Sequence, residues 1–140
     1  MLDLETAKKI LDTALAHAVA HKFKPMAIVV LDARGAMKAF VAQDGTSLKR
    51  AEIAIGKAHG ALAMGMGTRA LMQRAETQPY FIAAATAAVG GALIPVPGGV
   101  LIKKGGAVVG AIGLSGDTSD NDEAAAFAAI SAAGLEADGG

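Results

Sequence analysis

The spacing of apolar and polar residues divides the chain into helical and extended segments. Between Leu4 and Ala20, the residues Leu4, Ala7, Leu11, Ala14, Leu15 and Ala18 fall on one stripe, which predicts an amphipathic helix. Asp3 stands just before it, where a side-chain oxygen can accept from the first free N–H groups. Pro25 opens the run Met26-Ala-Ile-Val-Val-Leu31, whose β-branched content predicts a buried strand. Asp32-Ala-Arg-Gly35 reads as a tight turn, because Gly35 tolerates the positive φ that such a hairpin demands. Met37 to Gln43 is then the returning strand, ended by Asp44-Gly45.

A second helix is predicted from about Ser47 to Met66, and a short one after Gly67, from Thr68 to Arg74. Gly56 and Gly60 lie on one face of that second helix. Each costs about 1 kcal/mol relative to alanine in a helix interior, so close approach of another element or of a ligand is expected there. Pro79 to Val89 predicts a further helix. Strands follow at Val100 to Lys103 and Ala107 to Leu114, joined at Gly105-Gly106. Asp120 to Ala133 completes the helices, Gly134 stops it, and Glu136 to Gly140 is expected to fray. Hairpins alternating with helices predict one α+β domain over residues 1–140: a mainly antiparallel sheet of about four to five strands, flanked by helices.

Charge narrows the partners. Thirteen basic residues balance thirteen acidic ones, and no basic run with interleaved aromatics occurs, so no nucleic-acid surface is expected. The absence of cysteine excludes disulfides, thiolate catalysis and Cys-ligated metal centres. Tyr80 to Ile102 is uncharged and long enough to span a bilayer. Its Gly90-Gly91, Gly98-Gly99, Pro95 and Pro97 fit a helix, a turn and a strand in a soluble core better. Acids near the N-terminus do not suit a signal peptide, and a cytoplasmic location is expected.

The densest chemistry is in Gly113-Leu-Ser-Gly-Asp-Thr-Ser-Asp-Asn-Asp-Glu123. Counted from Asp117, the sixth and twelfth positions of a calcium loop hold Asp122 and Ala128, which excludes an EF-hand. An irregular metal site stays open, although no metal is assigned. Ser119 with Asp122, or Asp120 with Glu123, has capping-box spacing, and helix initiation alone accounts for most of the acids. Gly113-Leu-Ser-Gly116 is one residue short of a nucleophile elbow.

Three histidines offer other chemistry. His17 and His21 are four apart and border the apolar stripe, which reads as a solvated pair more than a metal site; the Glu of a zincin pattern is replaced by Ala18. His59 suits a haem ligand or a general base, but reads more as a satisfied, half-buried side chain. Neither a dinucleotide fingerprint nor a Walker loop is present. Arg34, Lys57 and Arg69 are single cations able to meet an anion.

Several motifs in order along the chain resemble the GlcG/HbpS-like, or haem-degrading-domain, family, which includes the C-terminal domain of PduO-type proteins. They are Val29-Val-Leu-Asp-Ala-Arg-Gly35, Asp44-Gly45, Lys57-Ala58, Pro97-Gly-Gly-Val100, Val109-Gly-Ala-Ile-Gly-Leu-Ser-Gly116 and Asp122-Glu-Ala124. The resemblance implies an antiparallel sheet flanked by helices and a homo-oligomer built from dimers, often an octamer. It also implies a ligand between elements or subunits, with haem or a corrinoid as the tetrapyrrole. Many relatives carry Arg-Met-Asp-Gly where this chain has Ala42-Gln-Asp-Gly45, so an arginine contact is missing here.

The combined reading is a cytoplasmic, oligomeric protein that binds haem or a related tetrapyrrole. Gly98, Gly99, Gly113, Ser115 and Gly116 would line its pocket, with Lys57 and His59 at the polar end. The alternative is an enzyme, or an accessory protein, acting on a small organic acid, with Asp32, Asp122 and Glu123 as acid/base groups.

Overall fold

The Thr6 N–H donates to the Asp3 carboxylate at 2.8 Å, and the first helix starts where that cap puts it. A computed structural model describes residues 1–140. In chain order the elements are α1 (Leu4–Ala20), β1 (Ala27–Asp32), β2 (Met37–Ala42), α2 (Arg50–Met64), α3 (Thr68–Thr77), α4 (Pro79–Ala88), β3 (Gly99–Lys104), β4 (Ala107–Ser115), α5 (Ser119–Ala132) and β5 (Glu136–Asp138). All five strands join one sheet in the order β2-β1-β4-β3-β5, and every neighbouring pair is antiparallel. The α+β class expected from alternating hairpins and helices is the one observed.

β1 is buried along its whole length because both of its faces are covered. Ile28 and Val30 point into a core shared with Ile10, Ala14, Ala126 and Ile130 of α1 and α5. Ala27, Val29 and Leu31 point the other way, onto Ala54, Ala58 and Ala61 of α2. Alternating side chains of one strand thus feed two cores. Small residues on α2 let it lie close to the sheet. A Cβ at Gly113 of β4 would collide with the Ala54 carbonyl oxygen, and one at Gly99 of β3 with that of Lys57.

The opposite side of α2 meets the chain segment before β3. The Ile94 N–H donates to the Gly56 carbonyl at 3.2 Å. A Cβ on Gly56 would come within 2.6 Å of Ile94, and one on Gly60 within 3.1 Å of Leu93. The two helix glycines are therefore offset by close approach of another element, not of a ligand.

Two expectations change. Residues 136–140 do not fray: Ala137 pairs with Ile102 at the sheet edge, and Lys103 holds Asp138 at 2.6 Å. Three residues carry no readable period, and only the free edge of β3 makes them a strand. α2 is also shorter than expected, running from Arg50 to Met64, and its cap Gly65, with a φ of 70°, closes it before Gly67.

Candidate functional site

The residues singled out around β4 converge on the junction where α2, the β3 entry and the α5 start meet. Lys57 leaves the sheet-facing side of α2. Its ammonium donates to the Leu114 carbonyl at 2.8 Å and to the Asp122 carboxylate at 3.1 Å. The two side chains are only 3% and 2% exposed. The other Asp122 oxygen accepts from the Asp117 N–H at 3.1 Å. Burial pushes the Lys57 ammonium below the ordinary lysine range, and the Asp122 charge opposes that shift. Burial likewise raises Asp122, against the pull of Lys57.

Gly98 makes room for this pair. Its φ is 119°, and a Cβ there would stand 2.9 Å from the Lys57 ammonium. Ser115 is fully buried, and its hydroxyl accepts from Arg50 at 3.1 Å. Gly116 packs against the Pro25 carbonyl. Lys57, Gly98, Gly99, Gly113, Ser115 and Gly116 are therefore brought to one region, and this chain's own atoms fill the space around them.

Arg50 is the member that sequence reasoning missed. Its signal was present: it stands seven residues before Lys57, two turns along the same helix face.

The structure does not bring His59 to Lys57. Two residues apart on one helix, the side chains diverge by about 200°. The His59 Nδ1 lies 2.8 Å from the Ala92 carbonyl, on the side away from the sheet. A carbonyl only accepts, so Nδ1 carries a proton, and in the neutral ring Nε2 keeps the lone pair. The ring is half-buried and lies beside Gly35.

The acids of the alternative reading are dispersed. Asp32 receives Arg34 at 3.0 Å and the Ala36 N–H at 3.1 Å, and the Arg34 bond lowers its pKa most. Glu123 holds Arg69 through three contacts between 3.0 and 3.3 Å, and Asp120 takes the same guanidinium at 2.6 Å. Asp122 belongs to Lys57. The three candidate cations Arg34, Lys57 and Arg69 are thus each neutralised within the chain, and no two of the three acids share a site.

The acidic stretch itself needs one correction. The α5 cap is Thr118, whose hydroxyl accepts from the Asn121 N–H at 3.2 Å. Asp122 is not a capping-box partner, because its side chain turns inward to Lys57. No group of three or more histidine, cysteine or carboxylate side chains stands close enough to hold a metal. No helix is long and apolar enough to cross a membrane.

Comparison with known proteins decides the family. The profile described as "Haem degrading protein HbpS-like" matches residues 2–131. The chain belongs to the HbpS-like family. Among solved structures, HbpS is 26% identical with a TM-score of 0.81, over 94% of this chain and 89% of that one. A PduOC:haem complex is 24% identical with a TM-score of 0.86, over 96% of each chain. The Klebsiella pneumoniae protein ORFY is 21% identical with a TM-score of 0.85, over 94% of this chain and 90% of that one. These last two share the HbpS-like fold. No curated protein sequence matches.

Proposed function

We propose that this chain binds haem, or a related tetrapyrrole such as a corrinoid, with His59 as the side chain that approaches the metal. The observation that carries the reading is the contact of His59 Nδ1 with the Ala92 carbonyl. Its Nδ1–H donates to the Ala92 carbonyl at 2.8 Å, which orients the ring and leaves the Nε2 lone pair free to ligate a metal. A backbone carbonyl behind the imidazole is the usual support of a metal-bound histidine. Membership of the HbpS-like family supports haem as the ligand.

The residues around Lys57 then serve the site by holding it. Lys57, Gly98, Gly99, Gly113 and Ser115 fasten α2 to the sheet, Gly116 packs on the Pro25–Met26 segment, and α2 carries His59 on its other side. A flat ligand would enter between that side and a second subunit, so the same reading includes a homo-oligomer, built from dimers and reaching an octamer. Unpartnered apolar residues support self-association. Met37 and Phe40 lie on the α2 side of edge strand β2, opposite Leu31 and Val29, and are 51% and 40% exposed. A cytoplasmic location completes the reading, in keeping with the lack of cysteine.

Titrating the apo protein with hemin and following the Soret band tests the proposal. Saturation at a fixed ratio per chain is expected. A rise that never saturates, or one that is unchanged in His59→Ala, means adsorption to apolar surface instead.

A further inference from the structure

The turn between β1 and β2 sets two cations beside a cleft. Asp32 Oδ1 accepts from the Arg34 N–H at 2.9 Å and from the Ala36 N–H at 3.1 Å. Its Oδ2 accepts from the same arginine's Nε at 3.3 Å and Nη2 at 3.0 Å. Both carboxylate oxygens are spent inside the turn, and the guanidinium is held by one edge, which leaves Nη1 without a partner in the chain. Lys38 follows at a bulge in β2, where Val30 pairs with Ala39 but Leu31 already pairs with Met37. A bulge of this kind re-aims a side chain. Lys38 is half-buried and forms no ion pair.

Arg34, Lys38 and Asp32 line a cleft of about 530 Å³ together with Leu2, Val108 and Val109. That volume is in the range of small-molecule sites. Leu2 belongs to the core beneath α1 and Val109 packs against the same core, so the cleft lies on the sheet face opposite α2. Gly110 makes room for Leu2, since a Cβ there would stand 2.8 Å from Leu2 Cδ2. The charges of Asp32 and Arg34 cancel, and Lys38 leaves one net positive charge among the side chains of the cleft.

We infer that this cleft binds a small aliphatic monocarboxylate, whose charge meets Lys38 and Arg34 Nη1 while its chain covers Leu2, Val108 and Val109. One unanswered cation beside aliphatic side chains matches one negative charge with an apolar tail. A second charge on the ligand would be desolvated there without a partner. Asp32 is a positioning residue in this arrangement, because its oxygens hold the turn and Arg34 and none is left for the ligand. The site is separate from the haem reading, since it uses neither His59 nor α2.

Amide NMR of the full chain, titrated with hexanoate, hexanol and succinate, provides the test. Hexanoate should give saturable shifts confined to residues 32–38 and 107–110 and should bind more tightly than either of the others. Lys38→Met should weaken hexanoate by about tenfold, the worth of one charge-assisted hydrogen bond, and leave hexanol unchanged. His59→Ala should alter nothing. Circular dichroism checks the fold of each variant, and the comparison of ligands on the wild-type protein decides alone if a variant unfolds. Shifts outside the cleft or without saturation, hexanol or succinate binding as tightly as hexanoate, a folded Lys38→Met with wild-type affinity, or loss of hexanoate in a folded His59→Ala each overturn the site.

Discussion

Lys57 and Asp122, 65 residues apart in the chain, meet at 3.1 Å inside the protein. A buried pair of this kind is costly to break, because removing one partner strands the other charge in a poor solvent. Lys57→Met alone, and Asp122→Leu alone, should each lower the unfolding free energy by about 3–5 kcal/mol. The double variant should be far closer to wild type, since a well-packed apolar pair replaces the ionic one. Urea unfolding of the three variants measures this. Additive losses in the double variant would mean that the pair is not a coupled unit.

Gly113 is where α2 rests on the sheet. A Cβ there has nowhere to go but into the Ala54 carbonyl, which is backbone and cannot swing aside. Gly113→Ala should cost about 1–3 kcal/mol by overpacking, seen as a lower thermal midpoint. Gly134→Ala offers a contrast. A Cβ there meets nothing within 4 Å, so its cost is confined to the strain of a positive φ.

Most of the fold could be read locally because its signals are local. The Asp3 cap, the Gly35 turn and the β-branched run of β1 each act within a few residues. β5 escaped because it exists only through its pairing to β3. Asp122 was misread for the same kind of reason. Its spacing from Ser119 suits a helix cap, and nothing nearby in sequence reveals that Lys57 waits behind it. The glycines at 98, 99 and 113 were read as points where a ligand approaches the backbone. What approaches is α2 and the Lys57 side chain, which no spacing rule could distinguish from a ligand.

Asp117 gives a pH dependence with a definite sign. Its carboxylate accepts from the Lys24 N–H at 2.7 Å and from Asn121 and the Thr118 N–H, both at 2.8 Å. The Lys24 bond contributes most to holding its pKa below the ordinary aspartate value. A carboxyl depressed in the folded state contributes stability that is fully present above its unfolded pKa, near 3.8. That stability is lost as the pH falls from there through the lower folded value. Asp117→Asn should therefore show a shallower loss below about pH 4 than wild type, in midpoints measured across an acid series.

Phe40 tests self-association. It projects from an edge strand on the sheet face that carries α2, opposite Val29, and is exposed there. Phe40→Glu adds a charge to that apolar area and should shift the assembly toward smaller species in light scattering, with an unchanged circular dichroism spectrum. An unaltered mass would locate the subunit contact elsewhere.

The most direct test of the central claim is imidazole rescue of His59→Gly with bound hemin. Removing the ring while keeping the rest of α2 in place should abolish the wild-type Soret position. Millimolar imidazole should restore it, by supplying the lost nitrogen to the iron. If His59→Gly binds hemin with the wild-type spectrum and imidazole changes nothing, His59 is not the group that meets the metal, and its bond to Ala92 serves only to hold that segment against α2.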